Sequence, residues 1–243
     1  MTLAIVAAMH EELAALLPLL SATAADDIGG RRFHRGTLAG REVVLVLSGI
    51  GKVAAATTTT LLLQHFQSSA VIFTGVAGGL GRGVKVGDVV LARTLLQHDL
   101  DASPIFPRWH VPGSGRSHFD SDASMTAALQ RGAAMVLGLA HPALAAFGIT
   151  QPQLHTGLIV SGDRFVSSAA ECTQLQQALP DALAVDMESA AVAQVCADFG
   201  RPLAVLPTVS DRADDQAHVD FPRFLREVAA PYARDILLAA KVS

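Results

Sequence analysis

The sequence predicts an α/β fold: a single-domain, three-layer sandwich over residues 1–243, in which a central mixed, twisted sheet carries helices on both faces. Short, continuous apolar runs, such as residues 3–8 and 70–74, are typical of strands buried on both sides. These runs alternate with segments whose apolar residues recur every three or four positions, which indicates helices packed on a sheet. Because 51% of the residues are hydrophobic and only 16% are charged, the chain can bury a large core.

The first half of the chain supplies most of the predicted sheet. Strands are predicted over residues 3–8, 31–37, 42–47, 70–74 and 84–96, and helices over residues 11–20 and 52–66. The turn at residues 38–41 should join two of these strands in a hairpin. Four successive threonines give the second helix weak intrinsic propensity. A glycine-rich turn is expected at residues 75–79, and a turn or bulge at Gly87 and Asp88.

The second half begins with a long ordered loop at residues 103–119, which is rich in proline and glycine and holds the only tryptophan. Helices follow over residues 121–137, 168–178 and 187–199, and strands over residues 156–160, 183–186 and 202–210. A final helix is expected to begin near Asp220 as its N-cap, with Pro222 in the first turn. Pro231 should kink that helix. No repeat or linker divides the chain.

Bulk properties exclude several classes of function. The net charge of −4 provides no basic surface for nucleic acid. Cys172 and Cys196 are too few for a disulfide framework, and we expect reduced core thiols in a cytoplasmic protein. The N-terminus lacks the basic region of a signal peptide. The longest apolar stretch, residues 133–149, is interrupted by His141 and Pro142, so no membrane span is expected.

Three carboxylates lie just past predicted buried strands: Glu12, Glu188 and Asp211. In an open α/β sheet, ligands bind outside the carboxyl ends of the strands, so these acids could meet in one pocket. Each also has a simpler interpretation, because acids favour helix N-termini and loop aspartates bind backbone amides. Their joint placement favours a site for acid/base chemistry on a small polar ligand.

Two other patterns are weak. Residues 48–54 give G-x-G-x-x-A between a strand and a helix, but no acid follows about twenty residues later, as a dinucleotide site requires. A tight strand-to-helix turn is the favoured interpretation. His98, Asp99 and Asp101 are metal-ligand residue types without a second cluster, so a polar strand end is favoured over a metal site. We therefore expect neither a metal nor a cofactor.

The chain resembles bacterial 5′-methylthioadenosine/S-adenosylhomocysteine nucleosidases, within the purine nucleoside phosphorylase superfamily. The matching segments occur in order at residues 8–12, 48–53, 74–80, 85–88, 98–99, 161–165, 185–188 and 209–211. The resemblance implies that water cleaves the bond between adenine N9 and the sugar C1′, in the course of methionine salvage. It implies that Asp211 protonates the adenine at N7, that Glu12 deprotonates the water, and that Glu188 binds the ribose hydroxyls.

The resemblance also implies a set of substrate contacts. Phe165 and Met187 would contact the ring and the sugar, backbone groups near Val166 would bind the purine edge, and Ser210 would position Asp211. The remaining residues implied to contact substrate are Met9, Ile50, Ala77 and Gly78.

Homodimers are common in this family, so the resemblance implies that a loop of one subunit completes the other's pocket. Here that loop would run from Ile105 to Pro112, with Phe106 and Pro112 as wall residues. An apolar wall suits a thioether substituent, which has no hydrogen bonds to satisfy. A simple surface loop around Trp109 is the alternative.

The chain departs from the family pattern at two positions. Val76 stands where the family usually has serine or threonine, and Pro207 where it usually has arginine. Neither residue can donate a side-chain hydrogen bond to the attacking water, and lost donors can cost orders of magnitude in rate. Glu12 alone, or a nearby arginine such as Arg212, would then have to compensate.

Four alternatives remain open to the sequence. A phosphorylase of the same fold would need an anion site. The usual arginine just before the glycine-rich turn is absent, since Phe73 and Thr74 stand there, but Arg31, Arg32 and Arg82 remain. A futalosine-type nucleoside hydrolase would differ in pocket shape. A sensor without turnover is suggested by Val76 and Pro207, but it would not need a general base. A nicotinamide-dependent dehydrogenase lacks its ribose-binding acid.

Overall fold

The structure is a computed structural model that describes residues 2–139, 141–212 and 221–241. The strands are β1 (Leu3–Ala7), β2 (Ser21–Ile28), β3 (Arg31–Leu38), β4 (Arg41–Leu47), β5 (Ala70–Gly79), β6 (Val89–Gln97), β7 (His118–Asp120), β8 (Leu154–Ser161), β9 (Ala182–Asp186) and β10 (Leu203–Asp211). The α-helices are α1 (His10–Leu16), α2 (Lys52–Gln64), α3 (Ala123–Leu137), α4 (Ala169–Ala178), α5 (Ser189–Asp198), α6 (Phe221–Phe224) and α7 (Ala230–Ala240). Short 3₁₀ segments occupy Leu17–Leu19 and Pro142–Phe147.

The strands form one mixed sheet, as predicted, and part of it closes on itself. β5 pairs in parallel with β1 and β10, and β1 pairs in parallel with β4. β10 pairs antiparallel with β6, β6 pairs in parallel with β8, β8 pairs in parallel with β9, and β9 returns antiparallel to β5. Five strands therefore surround a barrel-like core, and the β1, β4, β3 and β2 strands extend from it. The carboxyl ends of β1, β5 and β10 lie at the same edge.

Helices cover both faces of the sheet. Ile5 of β1 packs in the same apolar cluster as Leu129 of α3 and Ile236 of α7. The next residue of the strand, Val6, points to the other face and packs in a cluster with Leu62 of α2 and Val192 of α5. Because both faces are covered, every residue of β1 is buried, which explains its continuous apolar sequence.

Two predictions in this region were wrong. Residues 75–79 do not form a glycine-rich turn, because β5 continues through Gly79 and pairs there with β9. A Cβ on Gly75 would lie 2.9 Å from the Cβ of Ala8, so glycine is needed for close approach of two chain segments rather than for a turn. No strand occurs at residues 84–88, which form a loop. The turn expected at Gly87 is present, with φ of +89°.

Other differences follow from weak local patterns. β2 was missed because its residues are mostly exposed and do not alternate between apolar and polar, and the loop at residues 103–119 ends in the short strand β7. The β3–β4 hairpin was confirmed. Asp220, the expected N-cap, lies outside the described residues. α6 continues through a π-helical turn, Leu225–Ala229, into α7, and this irregularity immediately precedes Pro231, which cannot donate a backbone hydrogen bond.

In the described part of the chain, no helix has both the length and the apolar character that crossing a bilayer requires.

Candidate active site

A cavity opens where β1, β5, β9 and β10 end. Its walls come from distant parts of the chain, as the strand-end argument predicts. The lining residues are Ala8, Met9, Ile50, Val76, Ala77, Gly78, Arg164, Phe165, Val166, Val185, Asp186, Met187, Glu188, Ser210, Asp211 and Phe221. Most of these side chains are apolar, and the carboxylates are concentrated at the strand ends. Such a cavity suits a flat apolar ring system that carries a few polar groups.

Glu12 lies beside this cavity and is completely buried, with 0% of its surface exposed. Its Oε2 accepts a hydrogen bond from the Met9 amide at 3.2 Å, and its Oε1 accepts one from the Thr74 hydroxyl at 3.2 Å. Burial raises the pKa of Glu12 to about 8, and the carboxylates of Glu11 and Glu188 add to the rise, whereas the two hydrogen bonds oppose it. Glu12 is therefore a stronger base than an exposed glutamate.

Glu188 is positioned by two backbone amides. Its Oε1 accepts a hydrogen bond from Gly51 at 2.9 Å, and its Oε2 accepts one from Met187 at 3.2 Å. Burial and the neighbouring Asp186 raise the pKa of Glu188 to about 7, although the two amides act in the opposite direction. The carboxylate is held at the cavity wall, where it can accept hydrogen bonds from hydroxyl groups of a ligand.

Asp186 supports Glu188 from behind. Its Oδ1 accepts hydrogen bonds from the Ser161 hydroxyl at 2.5 Å and from the amides of Glu188 and Ser189, each at 3.2 Å. These contacts fix the start of α5, and burial raises the pKa of Asp186. Its Oδ2 is buried without a hydrogen-bond partner among the described residues.

Asp211, the last residue of β10, is buried with 5% exposure, and its Oδ2 accepts a hydrogen bond from the Ser210 hydroxyl at 2.8 Å. The strand is fixed just before it, because Val209 exchanges two backbone hydrogen bonds of 2.8 Å with Gly87 and Asp88. The Asp88 carboxylate in turn accepts hydrogen bonds from the amides of Lys85 and Gln153, and it binds the His155 ring at 2.7 Å. The loop before β6 therefore anchors the end of β10.

The turn at residues 48–51 was predicted correctly as a tight strand-to-helix connection. Gly49 and Gly51 have φ of +77° and +91°, a region in which a side chain would be strained. This geometry directs the Gly51 amide to Glu188 and leaves Ile50 71% exposed at the cavity mouth. The turn is thus a wall of the cavity.

The structure brings together most of the predicted site residues. Those that line the cavity are Met9, Ile50, Ala77, Gly78, Phe165, Val166, Met187, Glu188, Ser210 and Asp211. Glu12 lies directly behind the lining, hydrogen-bonded to Met9. Phe106 and Pro112 do not line the cavity; the Phe106 ring stacks on His110 with centroids 5.8 Å apart. Their implied role as wall residues for a second subunit stays a prediction.

Among the residues at the site that sequence reasoning missed are Thr74, Asp186, Arg164 and Phe221. A signal was available for Asp186, because an aspartate at the end of a buried strand is uncommon and needs a partner. Thr74 was similarly the one hydroxyl at the end of the apolar run of β5. Arg164 lies within the matching segment at residues 161–165 but received no role there, and no local pattern pointed to Phe221; both reach the cavity through the tertiary fold.

His98 and Asp99 do not belong to a metal cluster. The described residues contain no group of three or more histidine, cysteine, aspartate or glutamate side chains arranged to hold an ion. Asp99 instead pairs with Lys52, at 2.5 Å between Oδ1 and Nζ. The prediction of a polar strand end therefore agrees with the contacts that these residues make.

Comparison with known proteins gives consistent matches over the whole chain. A family model described as the phosphorylase superfamily matches residues 2–241. The 5′-methylthioadenosine/S-adenosylhomocysteine nucleosidase of Geobacillus kaustophilus (strain HTA426) is 37% identical over 240 residues, which are 98% of this chain and 96% of that protein.

Solved structures also match nearly the whole chain. The crystal structure of the nucleosidase of the same name from Neisseria meningitidis, in complex with methylthio-immucillin-A, is 36% identical with a TM-score of 0.88, and covers 98% of this chain and 97% of its own. The native structure of futalosine hydrolase of Helicobacter pylori strain 26695 is 33% identical with a TM-score of 0.83, and covers 98% of this chain and 96% of its own.

Proposed function

The chain belongs to the phosphorylase superfamily and, within it, to the 5′-methylthioadenosine/S-adenosylhomocysteine nucleosidases, and on this basis we propose how its site works. The enzyme hydrolyses the N-glycosidic bond of 5′-methylthioadenosine and S-adenosylhomocysteine, and it releases adenine and the thioribose. The observation that supports this chemistry most directly is a cavity lined by the buried carboxyl groups of Asp211 and Glu188, with the buried Glu12 directly behind its wall.

Asp211 is the proposed general acid. Cleavage leaves a negative charge on the departing purine, and protonation at N7 neutralises it, so an acid at the buried end of the cavity lowers the barrier. The Ser210 hydroxyl donates to Oδ2 and fixes the rotamer of the carboxyl group. Phe165 is the proposed stacking partner of the adenine ring, and backbone groups near Val166 its edge contacts.

Glu12 is the proposed general base. In glycoside cleavage the transition state resembles an oxocarbenium ion, and the water that attacks it must lose a proton. A carboxylate with a pKa of about 8 takes that proton more readily than an exposed glutamate does. The Met9 amide and the Thr74 hydroxyl hold both of its oxygens.

Glu188 is the proposed ribose ligand. Its two oxygens are oriented by the amides of Gly51 and Met187, so their remaining lone pairs can accept hydrogen bonds from the ribose hydroxyls. A negative charge below the sugar also favours the positive character that develops there in the transition state.

The two departures from the family pattern, Val76 and Pro207, bear on how the proposed base, Glu12, activates the attacking water. Val76 lines the cavity, and Pro207 is buried within β10. Among the described residues no lysine or arginine forms an ion pair with Glu12. In this proposal the hydroxyl of Thr74, rather than Arg212, helps to position the Glu12 carboxylate. If Val76→Ser combined with Pro207→Arg leaves kcat unchanged, the missing donors do not limit the reaction.

A homodimer is the proposed assembly. Phe106 is 37% exposed and Ile105 82% exposed, on a loop whose sequence is apolar. In a dimer this loop would close the 5′-substituent end of the partner's cavity, beside Ile50. Sedimentation analysis of wild type and Phe106→Asp tests the assembly, since a charge in an apolar interface should weaken it. A cytoplasmic location and a place in methionine salvage are part of the same proposal.

The experiment that tests the function compares kcat/KM for adenine release from 5′-methylthioadenosine and S-adenosylhomocysteine with base release from a futalosine-type nucleoside. The last substrate is included because a futalosine hydrolase has the same fold at 33% identity. A preference for the two thioribosyl adenosines supports the proposal. A preference for the futalosine-type nucleoside would reassign the substrate. Binding without any base release would indicate a sensor.

A further inference from the structure

We propose that Asp99 is a positioning residue for substrate binding, because it holds together two loops that line the cavity. One is the turn at residues 48–51 between β4 and α2, and the other is the loop at residues 162–168 between β8 and α4. The inference rests on the proposed function only for the identity of the ligand.

Asp99 lies two residues after the end of β6 and completes a ring of contacts with Lys52 and Asp163. Its Oδ1 pairs with Lys52 Nζ at 2.5 Å, and its Oδ2 accepts a hydrogen bond from the Asp163 amide at 2.8 Å. The ring is closed by Asp163 Oδ1, which accepts a hydrogen bond from the Lys52 amide at 2.7 Å. Two of the three contacts go to backbone amides, so they fix the course of the chain as well as the side chains.

The charges in the ring are partly shielded from water. The exposed fraction of the side chain is 16% for Lys52 and 31% for Asp99. Although partial burial acts to raise it, the hydrogen bonds from Lys52 and the Asp163 amide hold the pKa of Asp99 below its ordinary value. The Asp99 carboxyl group is therefore ionised at neutral pH, and the hydrogen bonds that it accepts are of the stronger, charge-assisted kind.

Each side of the ring leads directly to a substrate contact. Lys52 follows Gly51, whose amide donates to Glu188 Oε1, and Gly51 itself follows Ile50 at the cavity mouth. On the other side, Asp163 precedes Arg164 and Phe165, which both line the cavity. A Cβ on Gly51 would lie 3.0 Å from Asp163 Oδ1, so the two loops already touch.

The ring does not reach the proposed acid and base. Glu12 is held by Met9 and Thr74, and Asp211 by Ser210 at the end of β10. Loss of the ring should therefore loosen the walls that bind ribose and purine, while the groups that transfer protons stay in place. That separation predicts a rise in KM with little change in kcat.

The test measures KM and kcat for 5′-methylthioadenosine in three variants. Asp99→Ala removes both of its contacts, and KM should rise at least about tenfold, because the loss of a single charge-assisted hydrogen bond already has about that effect. Asp99→Asn keeps one acceptor oxygen, and Lys52→Met keeps the backbone contact to Asp163, so both should show smaller rises. The matched control is Asp26→Ala, which breaks an ion pair with Arg35 on the β2–β3 hairpin and should change neither constant.

A double variant tests whether the ring acts as a unit. If it does, Asp99→Ala combined with Asp163→Ala should raise KM no more than the larger single effect. Fully additive effects would overturn the proposal. So would Asp99 variants with KM and kcat within about twofold of wild type, because ordinary surface ion pairs contribute little. A lower kcat with unchanged KM would indicate a merely structural role and would overturn it as well.

The proposal can fail independently of the function. If wild type releases no adenine from 5′-methylthioadenosine, the proposed reaction is wrong, but equilibrium binding of that nucleoside still tests the ring. The Kd should then be raised by Asp99→Ala and Asp99→Asn and left unchanged by Asp26→Ala. If Asp99→Ala does not fold, Asp99→Asn and Lys52→Met carry the test, and KM and Kd values equal to wild type in both would refute it.

Discussion

Glu12→Gln tests whether the buried carboxyl beside the cavity costs the native state free energy when it ionises. The pKa of this group is raised from 4.5 to about 8 by burial. A carboxyl whose pKa rises on folding is fully tolerated below its unfolded-state pKa, and stability is lost as the pH rises through the folded-state value. Glutamine has nearly the same shape and cannot ionise, so the variant should not lose this stability.

The size of the effect follows from the two pKa values. With 4.5 in the unfolded chain and about 8 in the native state, the raised pKa of Glu12 lowers the free energy of unfolding by about 1 kcal/mol at pH 5 and about 4 kcal/mol at pH 8. The free energy of unfolding of Glu12→Gln minus that of wild type should therefore increase by about 3 kcal/mol between these pH values. Replacing one acceptor oxygen with an amide group adds a roughly constant loss of about 1–3 kcal/mol.

Urea unfolding of both proteins at several pH values measures this difference. Glu42→Gln makes the same chemical change at an exposed position of β4, and it serves as the control, since its difference from wild type should stay nearly flat. Parallel curves for wild type and Glu12→Gln, within about 0.5 kcal/mol over the range, would refute the reasoning. They would mean that Glu12 is solvated or paired in the native state.

Three further predictions concern residues around the cavity. Thr74→Val removes a hydroxyl that lowers the pKa of Glu12, so kcat/KM should fall about tenfold and its rising limb, near pH 8 in wild type, should move to higher pH; an unchanged pH–rate profile would show that the hydroxyl does not act on the base. Asp211→Asn should lower kcat by about 10²–10⁴-fold while adenine still binds in calorimetry, and normal turnover would exclude Asp211 as the acid. Asp88→Asn should weaken the buried contacts to His155 and two amides and lower the free energy of unfolding by about 1–3 kcal/mol; equal urea midpoints would contradict that assignment.

Local sequence patterns correctly predicted the elements whose structure depends on residues close together in the chain. The β3–β4 hairpin follows from a short turn between two apolar runs, and the gathering of Glu188 and Asp211 at one edge follows from where buried strands end. The glycines at positions 49 and 51 were placed correctly in a turn, because positive φ values favour glycine at such connections.

Features that depend on strand register were not predictable. The glycines of β5 look like a turn in the sequence, yet Gly78 and Gly79 pair with β9 and so close the five strands around the barrel-like core. The contact of Thr74 with Glu12 requires β1 and β5 to be adjacent and in register. The ring around Asp99 joins residues up to 111 positions apart, so no window of sequence contains it.

The central claim is that water, rather than phosphate, receives the ribosyl group. The most direct measurement is identification of the sugar product from 5′-methylthioadenosine by mass spectrometry, with and without added phosphate. Our account predicts free methylthioribose and adenine in both buffers, at the same rate. A sugar 1-phosphate that forms only when phosphate is present would contradict it and identify a phosphorylase.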